Sequence, residues 1–229
     1  VAGSDPAITQ GSGRSDRVYS AEVDQRRGLL VPIAGSEEVW RSFTIPAGPI
    51  NQNPNCSGVD ASARTRAAVA AVEAPAARQA QGVLGYIYVV GGSMFDLACE
   101  GDITSSLVQI ATVNTSGAIT GWSTLPANAV PNAFNQAGEP IEFFGLEGAM
   151  ATIVRTSSSP ARTFLYVLGG ISIDPFNFLN PNFITKQSIY TEIDLATGAL
   201  RNPTTPGAAS VWALASTAGL PIPPEEFGL

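Results

Sequence analysis

Apolar and polar residues alternate along most of this chain in short runs, a period-2 pattern that predicts β-strands rather than helices. One arrangement occurs three times: an alternating run, an Asp or Asn, two or three further residues, a Gly, and a new apolar run. It covers residues 18–30, 107–119 and 189–200. Because Asp and Asn bond to the backbone just ahead and Gly accepts a positive φ, each segment is predicted to form a β-hairpin.

A second element occurs twice, as an apolar strand that ends in a pair of glycines. Residues 85–92 and 163–170 have this form, and each follows another candidate strand, at residues 66–74 and 148–156. Together with the hairpins this gives four strands per unit, and four antiparallel strands repeated in series are typical of β-propeller blades. Two alternatives stay open: a helix over residues 61–78, which are rich in Ala and Arg, and a small β-sandwich built from the same strands.

These units resemble a known repeat family. The strands that carry Tyr88 and Tyr166 end in the glycine pairs, where glycine allows a close approach of backbones, and Trp122 stands shortly before a Leu-Pro turn. In these features the chain resembles kelch repeats and the galactose-oxidase-like bacterial β-propellers, which implies an all-β, kelch-like propeller. The glycine pairs are 169 − 91 = 78 residues apart, against about 50 for a kelch repeat, which places insertions in the loops. We expect Trp40 and Trp122 to be core residues of return strands.

The repeat divides the chain into about three blades. Residues 18–46 supply the third and fourth strands of one blade, two whole blades follow, and residues 210–214 are predicted to begin another. Since propellers close with about 4–8 blades, we expect an incomplete ring that another polypeptide, a symmetry mate or missing sequence completes. The predicted ranges are 1–17 for an N-terminal extension, 18–220 for the partial propeller with blade parts 18–46, 64–126, 147–205 and 208–220, and 221–229 for a C-terminal arm.

The composition excludes several classes of catalytic site and of partner. The chain has no His, which rules out Ser-His-Asp and Cys-His nucleophiles, His-ligated zinc and the copper-radical chemistry of galactose oxidases. With 12 basic and 19 acidic residues the net charge is −7, whereas a nucleic-acid partner requires a basic surface. The most apolar stretch, residues 83–92, is too short to be a transmembrane segment. Sequons at Asn55 and Asn114 and the scarcity of charged residues favour an extracellular or cell-surface location, and the resemblance implies a bacterial protein.

Four long connections between predicted strands are expected on the same side of the propeller: residues 47–63, 93–105, 126–147 and 171–187. They carry eight acidic residues, one lysine and seven phenylalanines, a surface that attracts cations or a basic protein and repels polyanions. The alternative is that the acids keep the loops soluble while the phenylalanines pack onto the blades. The candidate binding residues are Phe95, Asp96, Glu100, Asp102, Glu139, Glu142, Asp174, Phe176 and Phe178.

One of these connections also suggests a metal site. Asp96, Glu100 and Asp102 lie close in sequence and offer oxygen ligands for Ca²⁺, without EF-hand spacing; no other cofactor is predicted. Cys56 and Cys99 fall in connections expected on the same face of one blade, which predicts a disulfide, with two separate buried thiols as the alternative.

These features predict a non-catalytic secreted or cell-surface module, a structural or adhesive subunit that binds a protein or a glycan through its acidic, aromatic loop face. The alternative is a propeller-type, glycan-active hydrolase or lyase whose loop carboxylates carry the reaction. A third interpretation is a proteolytic fragment with no function of its own.

Overall fold

A computed structural model shows an all-β fold, as predicted, and every strand pairing among the residues that it describes is antiparallel. It describes residues 17–24, 26–27, 29–33, 35–44, 65–96, 101–124, 128–131, 133–134, 140–142, 145–173, 182–184 and 188–216. Within these residues the elements are β1 (Arg17–Ser20), β2 (Glu22–Asp24), β3 (Leu29–Val31), β4 (Arg41–Thr44), β5 (Ala68–Glu73), α1 (Ala76–Gln79), β6 (Val83–Val90), β7 (Ser93–Asp96), β8 (Gly101–Thr104), β9 (Val108–Asn114), β10 (Ile119–Thr124), β11 (Ala133–Phe134), β12 (Pro140–Glu142), β13 (Met150–Arg155), β14 (Thr163–Leu168), β15 (Ile171–Ile173), β16 (Asn182–Ile184), β17 (Ser188–Ile193), β18 (Leu200–Arg201) and β19 (Ala213–Ser216).

The first sheet contains β5, β6, β9 and β10 in that order, with the hairpin of β7 and β8 inserted between β6 and β9. These are the four strands predicted for the first whole blade. In β5, Ala68 and Ala70 are buried while Val69 between them is exposed, the alternation of a strand with one covered face. The helix alternative for residues 61–78 is wrong in its described part, because β5 occupies the centre and α1 keeps a single turn after Pro75.

The second sheet repeats this arrangement with β13, β14, β17 and β18, and the hairpin of β15 and β16 lies between β14 and β17 in the chain. β19, which lies within residues 208–220, also pairs with β17 and so belongs to the second sheet. β18 ends at Arg201 and leaves half of the edge of β17 for β19 to pair with. The segment is anchored by the buried Trp212, whose Nε1 donates to the carbonyl oxygen of Asn128 at 2.9 Å.

The N-terminal hairpin consists of β1 paired with β4 and β2 paired with β3. This pairing agrees with the two strands predicted from residues 18–46. Trp40, predicted to be a core residue, is instead 54% exposed, and Trp122 is half-buried in β10. The first and second strands of a complete blade do not pair with this hairpin among the described residues, so one of its sides stays open.

The main hydrophobic core lies between the two sheets, and the first strands β5 and β13 approach each other closely. Residues directly opposed in a register share a face, so the registers identify the two faces that meet. They carry Ala68, Ala70, Tyr86, Tyr88, Val90, Val108 and Ile110 on the first sheet, and Leu165, Val167, Ile189, Ile193 and Leu200 on the second.

The three predicted Asp-to-Gly or Asn-to-Gly turns each contain a hydrogen bond of the same kind. In each, a side-chain oxygen accepts from the backbone N–H two residues ahead, which closes an Asx turn at the end of the third strand. Gly117 and Gly198 have φ of +78° and +77°, which explains why glycine follows. The bonds run from Arg26 N to Asp24 Oδ1 at 2.9 Å, from Ser116 N to Asn114 Oδ1 at 3.1 Å, and from Ala196 N to Asp194 Oδ1 at 2.9 Å.

The second glycine of each predicted pair lies against backbone at the start of the unit. A Cβ on Gly92 would lie 2.8 Å from the carbonyl oxygen of Thr65, and one on Gly170 would lie 3.0 Å from that of Glu147. Both glycines have strongly positive φ, +100° and +105°. The close backbone approach predicted for the pairs is therefore confirmed, and it occurs at equivalent positions of the two units.

Some predictions concern residues at the ends of the chain. The N-terminal extension and the C-terminal arm (221–229) lie outside the described residues, apart from Arg17 in β1. No helix in the described part of the chain has the length and apolar character needed to cross a membrane.

Candidate binding rim

Three hairpins, β7–β8, β11–β12 and β15–β16, are associated with the end of the sheets that carries the glycine pairs. β7 follows Gly92 directly and β15 follows Gly170 directly. The connection that contains β11 and β12 bonds to the same end: the backbone N–H of Gly92 donates to the carbonyl oxygen of Leu146 at 2.7 Å, and that of Val130 donates to Ser106 at 2.7 Å. We call these three hairpins the rim.

Four of the predicted binding residues lie on strands of the rim. Phe95 and Asp102 are opposed across β7 and β8, Asp96 ends β7, and Glu142 ends β12. The sequence predicted loops here, and the difference arises because long connections can satisfy their backbone groups by pairing with themselves. The remaining candidates and both cysteines lie outside the described residues: Glu100, Glu139, Asp174, Phe176, Phe178, Cys56 and Cys99.

Buried polar side chains concentrate at the base of the rim. The buried Ser93, for example, shares a hydroxyl–hydroxyl hydrogen bond of 3.2 Å with the half-buried Thr65 at the start of β7. Such groups are retained in an interior where hydrogen bonds hold them, so they give the rim an ordered polar support. Of the eleven buried polar or charged residues in the described part, eight lie at or beside this base: Ser93, Thr104, Ser105, Ser106, Gln109, Asn128, Glu147 and Ser172.

The buried carboxylate of this base belongs to Glu147, and its partner is Arg66. Arg66 Nη1 lies 2.8 Å from Glu147 Oε1, with the guanidinium exposed and the carboxylate buried. The backbone also links the two units here, because the N–H of Gly148 donates to the carbonyl oxygen of Arg66 at 2.9 Å. Arg66 has φ +55°, and Gly148, at the equivalent position of the second unit, has φ +64°. Glu147 was expected to be a loop acid, and no role was predicted for Arg66, although Arg66 stands where the second unit has Gly148.

Two buried oxygen atoms at this base have no hydrogen-bond partner among the described residues. They are Glu147 Oε2 and Ser172 Oγ. Buried polar atoms are normally satisfied, so a bound polar group or solvent at the base of the rim would complete them. No cluster of three His, Cys, Asp or Glu that could hold a metal occurs within the described part of the chain, which does not include the side chains of the predicted calcium ligands.

A charged cluster borders the side of the second sheet that faces away from the first. Arg162 bonds to one oxygen of the buried Glu192, and Arg201 Nη2 donates to the other at 2.8 Å. The bond from Arg162 first, and that from Arg201 next, hold the pKa of Glu192 below its usual range against the effect of burial. The guanidinium of Arg162 also lies 4.9 Å from the ring centre of Phe164. This cluster orders the edge of the sheet rather than the rim.

A cavity of about 440 Å³ lies between the N-terminal hairpin and the first sheet, and no residue of the rim is among the described residues that line it. Arg41 Nη1 crosses this boundary and donates to the carbonyl oxygen of Ser116 at 2.6 Å. Glu22 and Val31 border the cavity from the hairpin, and Val113 borders it from the first sheet.

Comparisons with known proteins do not assign this chain to a family. A scan against protein-family models gave no match, and a search of curated proteins gave none either.

Proposed function

We propose that this chain is a non-catalytic binding module of a kelch-like β-propeller, located outside the cell or at its surface, which binds a protein or a glycan through the rim. The observation that carries the proposal is the rim itself, three hairpins at one end of two stacked sheets above a base of buried polar residues. Binding residues usually lie on long connections that a rigid scaffold holds in place.

The contacts between units support the propeller arrangement. Each sheet follows the chain order of its strands, and the first strands of the two sheets lie side by side, as inner strands do around a propeller axis. The turn between β9 and β10 contacts the N-terminal hairpin through Ser116, as the turn between β17 and β18 contacts the first sheet through Ala196. A sandwich of two sheets does not require this repetition.

The residue types of the rim favour two classes of ligand, a basic protein surface and a sugar whose apolar face packs on an aromatic ring. Asp96, Asp102 and Glu142 are acidic residues on strands of two of its hairpins, and Phe95 is paired with Asp102 in the register of β7 and β8. Carboxylates attract a basic protein surface over a range that salt shortens, whereas aromatic rings bind the apolar faces of sugars. The two ligand classes are therefore distinguished by the salt dependence of binding.

Binding to immobilised poly-L-lysine and to a glycan array tests the proposal. The test variant combines Asp96→Asn, Glu100→Gln and Asp102→Asn. The matched control removes three exposed acids away from the rim, by Glu37→Gln, Glu38→Gln and Glu73→Gln. We expect the wild type to bind one of the two surfaces, the rim variant to lose about tenfold in affinity, and the control to change by less than about twofold.

Two results would count against a binding module. Equal losses in both triple variants would mean that overall charge, rather than the rim, determines binding. Turnover of any glycan by the wild type, abolished in the rim variant, would instead support the hydrolase or lyase. Circular dichroism of all three proteins establishes that the variants fold alike.

A further inference from the structure

One contact between successive units occurs at the turn after the third strand. The turn between β17 and β18 packs on the face of the first sheet that carries Tyr86 and Tyr88. The Tyr86 hydroxyl donates to the carbonyl oxygen of Ala196 at 3.1 Å, and the Tyr88 hydroxyl donates to that of Gly198 at 2.9 Å. A Cβ on Gly198 would lie 2.4 Å from the Tyr86 ring, so the turn lies directly against the sheet.

The preceding pair of units makes the same kind of contact. Ser116 stands two residues after Asn114, as Ala196 stands two residues after Asp194, and its carbonyl oxygen accepts from Arg41 of the N-terminal hairpin at 2.6 Å. In both cases a side chain of one unit donates to the same carbonyl of the next unit's Asx turn. The donors differ in place, because Arg41 belongs to the last strand of its unit and the tyrosines belong to the second strand of theirs. In both contacts of the described residues, the turn of one unit meets the unit before it.

The N-terminal hairpin, the first sheet and the second sheet each have one Asx turn and one face that can receive the turn of the next unit. The two contacts above use two of these turns and two of these faces. One turn and one face are therefore left without a neighbour in the described part of the chain. The unused turn is that of the N-terminal hairpin, after Asp24. The unused face is the side of the second sheet turned away from the first, which we call the outer face. It carries the residues that share registers on that side: Met150, Thr152, Val154, Phe164, Tyr166, Leu168, Tyr190 and Glu192.

The outer face corresponds residue by residue to the buried face of the first sheet. Ala68 pairs with Val90 two positions before Gly92, and Met150 pairs with Leu168 two positions before Gly170. When the two sheets are aligned on these glycines, most positions that are buried on this face of the first sheet have an apolar or aromatic residue on the outer face of the second sheet. Ala68 is buried, however, whereas Met150 and Val154 are exposed. Phe164 and Glu192, on β14 and β17, are buried beneath the Arg162 cluster. The uncovered part of the outer face is therefore the part on β13 near Met150 and Val154.

The turn of the N-terminal hairpin also has residues that are exposed where the equivalent residues of another unit are buried. Val23 and Leu30 are opposed in the N-terminal hairpin, as Ile193 and Leu200 are opposed in the second sheet. Ile193 and Leu200 are 2% and 7% exposed because they pack between the sheets, whereas Val23 and Leu30 are 51% and 40% exposed. An apolar pair that is core in one unit therefore faces open space in the other.

We propose that the outer face of the second sheet binds the N-terminal hairpin of a second copy of this chain, which repeats the internal interface in a head-to-tail association. The occupant is another copy because its free hairpin carries the Asx turn and the apolar pair that the internal interface uses. Tyr166 takes the place of Tyr88 and donates to the incoming turn, while Phe164 takes the place of Tyr86 without a hydroxyl. Such an interface forms rings if its rotation closes and chains if it does not. The proposal does not depend on what the rim binds.

A complementation experiment tests this geometry by native mass spectrometry and light scattering. Val154→Asp blocks the outer face and leaves the hairpin intact, and Leu30→Asp blocks the hairpin and leaves the outer face intact. Ala77→Asp, at an exposed position of α1, is the matched control. We expect the wild type and the control to associate between about 1 and 100 μM, and each blocked variant alone to stay at 23.7 kDa.

The mixture of the two blocked variants gives the decisive result. Each retains one working half, so we expect an equimolar mixture to form a species at twice the 23.7 kDa monomer mass and nothing larger. A wild-type chain that stays monomeric throughout this range would overturn the proposal. So would association that survives in either blocked variant, or a mixture that stays monomeric. Unchanged urea unfolding of the variants excludes loss of the fold as the cause.

Discussion

Replacing Gly198 by Ala, compared with the same change at Gly117, measures how tightly the turn of one unit packs on the sheet of the other. Both glycines stand in equivalent turns with φ near +78°, so both alanines pay a similar backbone cost of about 1–2 kcal/mol. Their surroundings differ: a Cβ on Gly117 meets no atom within 4 Å, whereas one on Gly198 would lie 2.4 Å from Cδ1 and 2.6 Å from Cε1 of Tyr86.

The difference in stability therefore reports the interface alone. Carbon atoms attract at about 3.5–4.0 Å, so the Tyr86 ring must move or the turn must lift, and overpacking of this kind costs about 1–3 kcal/mol. With a urea slope of about 2 kcal/mol per M, the unfolding midpoint of Gly198→Ala should lie about 0.5–1.5 M below that of Gly117→Ala.

A double-mutant cycle tests whether the Tyr86 ring causes the extra loss of stability in Gly198→Ala. In a Tyr86→Leu background we expect the cost of Gly198→Ala to fall toward that of Gly117→Ala, because the branched side chain leaves room for the methyl group. Equal midpoints for the two alanine variants in the wild-type background would refute the reasoning, since the turn would then not lie against Tyr86.

Three further predictions concern contacts within and between the sheets. Tyr88→Phe leaves a buried carbonyl without its donor, so we expect a loss of about 1–3 kcal/mol in the free energy of unfolding by urea. Because Arg162 lowers the folded-state pKa of Glu192, its stabilisation is complete above the ordinary glutamate pKa of about 4.3 and disappears as the pH falls through the folded value; the midpoint difference between wild type and Glu192→Gln should therefore be constant from pH 7 to about 5 and shrink below about 4. Arg66→Gly relieves a backbone cost of about 1 kcal/mol but leaves the buried Glu147 unpaired, so we expect a net loss that adding Glu147→Gln partly restores in urea unfolding; a more stable single variant would contradict this.

The strands and turns could be predicted because their signals are local. The alternation around Val69, the Asx residues and the glycines each determine the backbone within a few positions, and the structure has a strand or turn at each. Positions that depend on distant neighbours were predicted less well. β19 resembles the first strand of a blade in sequence, but an open edge of β17 pairs with it. Trp40 has the character of a core residue but is exposed, and no first or second strand of a blade pairs with its hairpin among the described residues.

The candidate site could be located from the sequence but not built from it. Counting strand directions predicted one side for the long connections, and the hydrogen bonds of Leu146 and Val130 confirm this for the connection between β10 and β13. Pairing within those connections was missed because their β-propensity is interrupted by polar residues. Arg66 was missed since its left-handed backbone becomes apparent only when the unit is aligned with the one that has Gly148 there.

A crystal structure of the chain tests most directly the central claim, that successive units are related by one repeated operation. The rotation that superposes the first sheet on the second should, when applied to the N-terminal hairpin, place it on β9 and β10 with Asp24 over Asn114. We predict one rotation about a common axis that passes nearest to β5 and β13. Two unrelated rotations, or an axis on the opposite side of the sheets, would contradict the account and leave a β-sandwich.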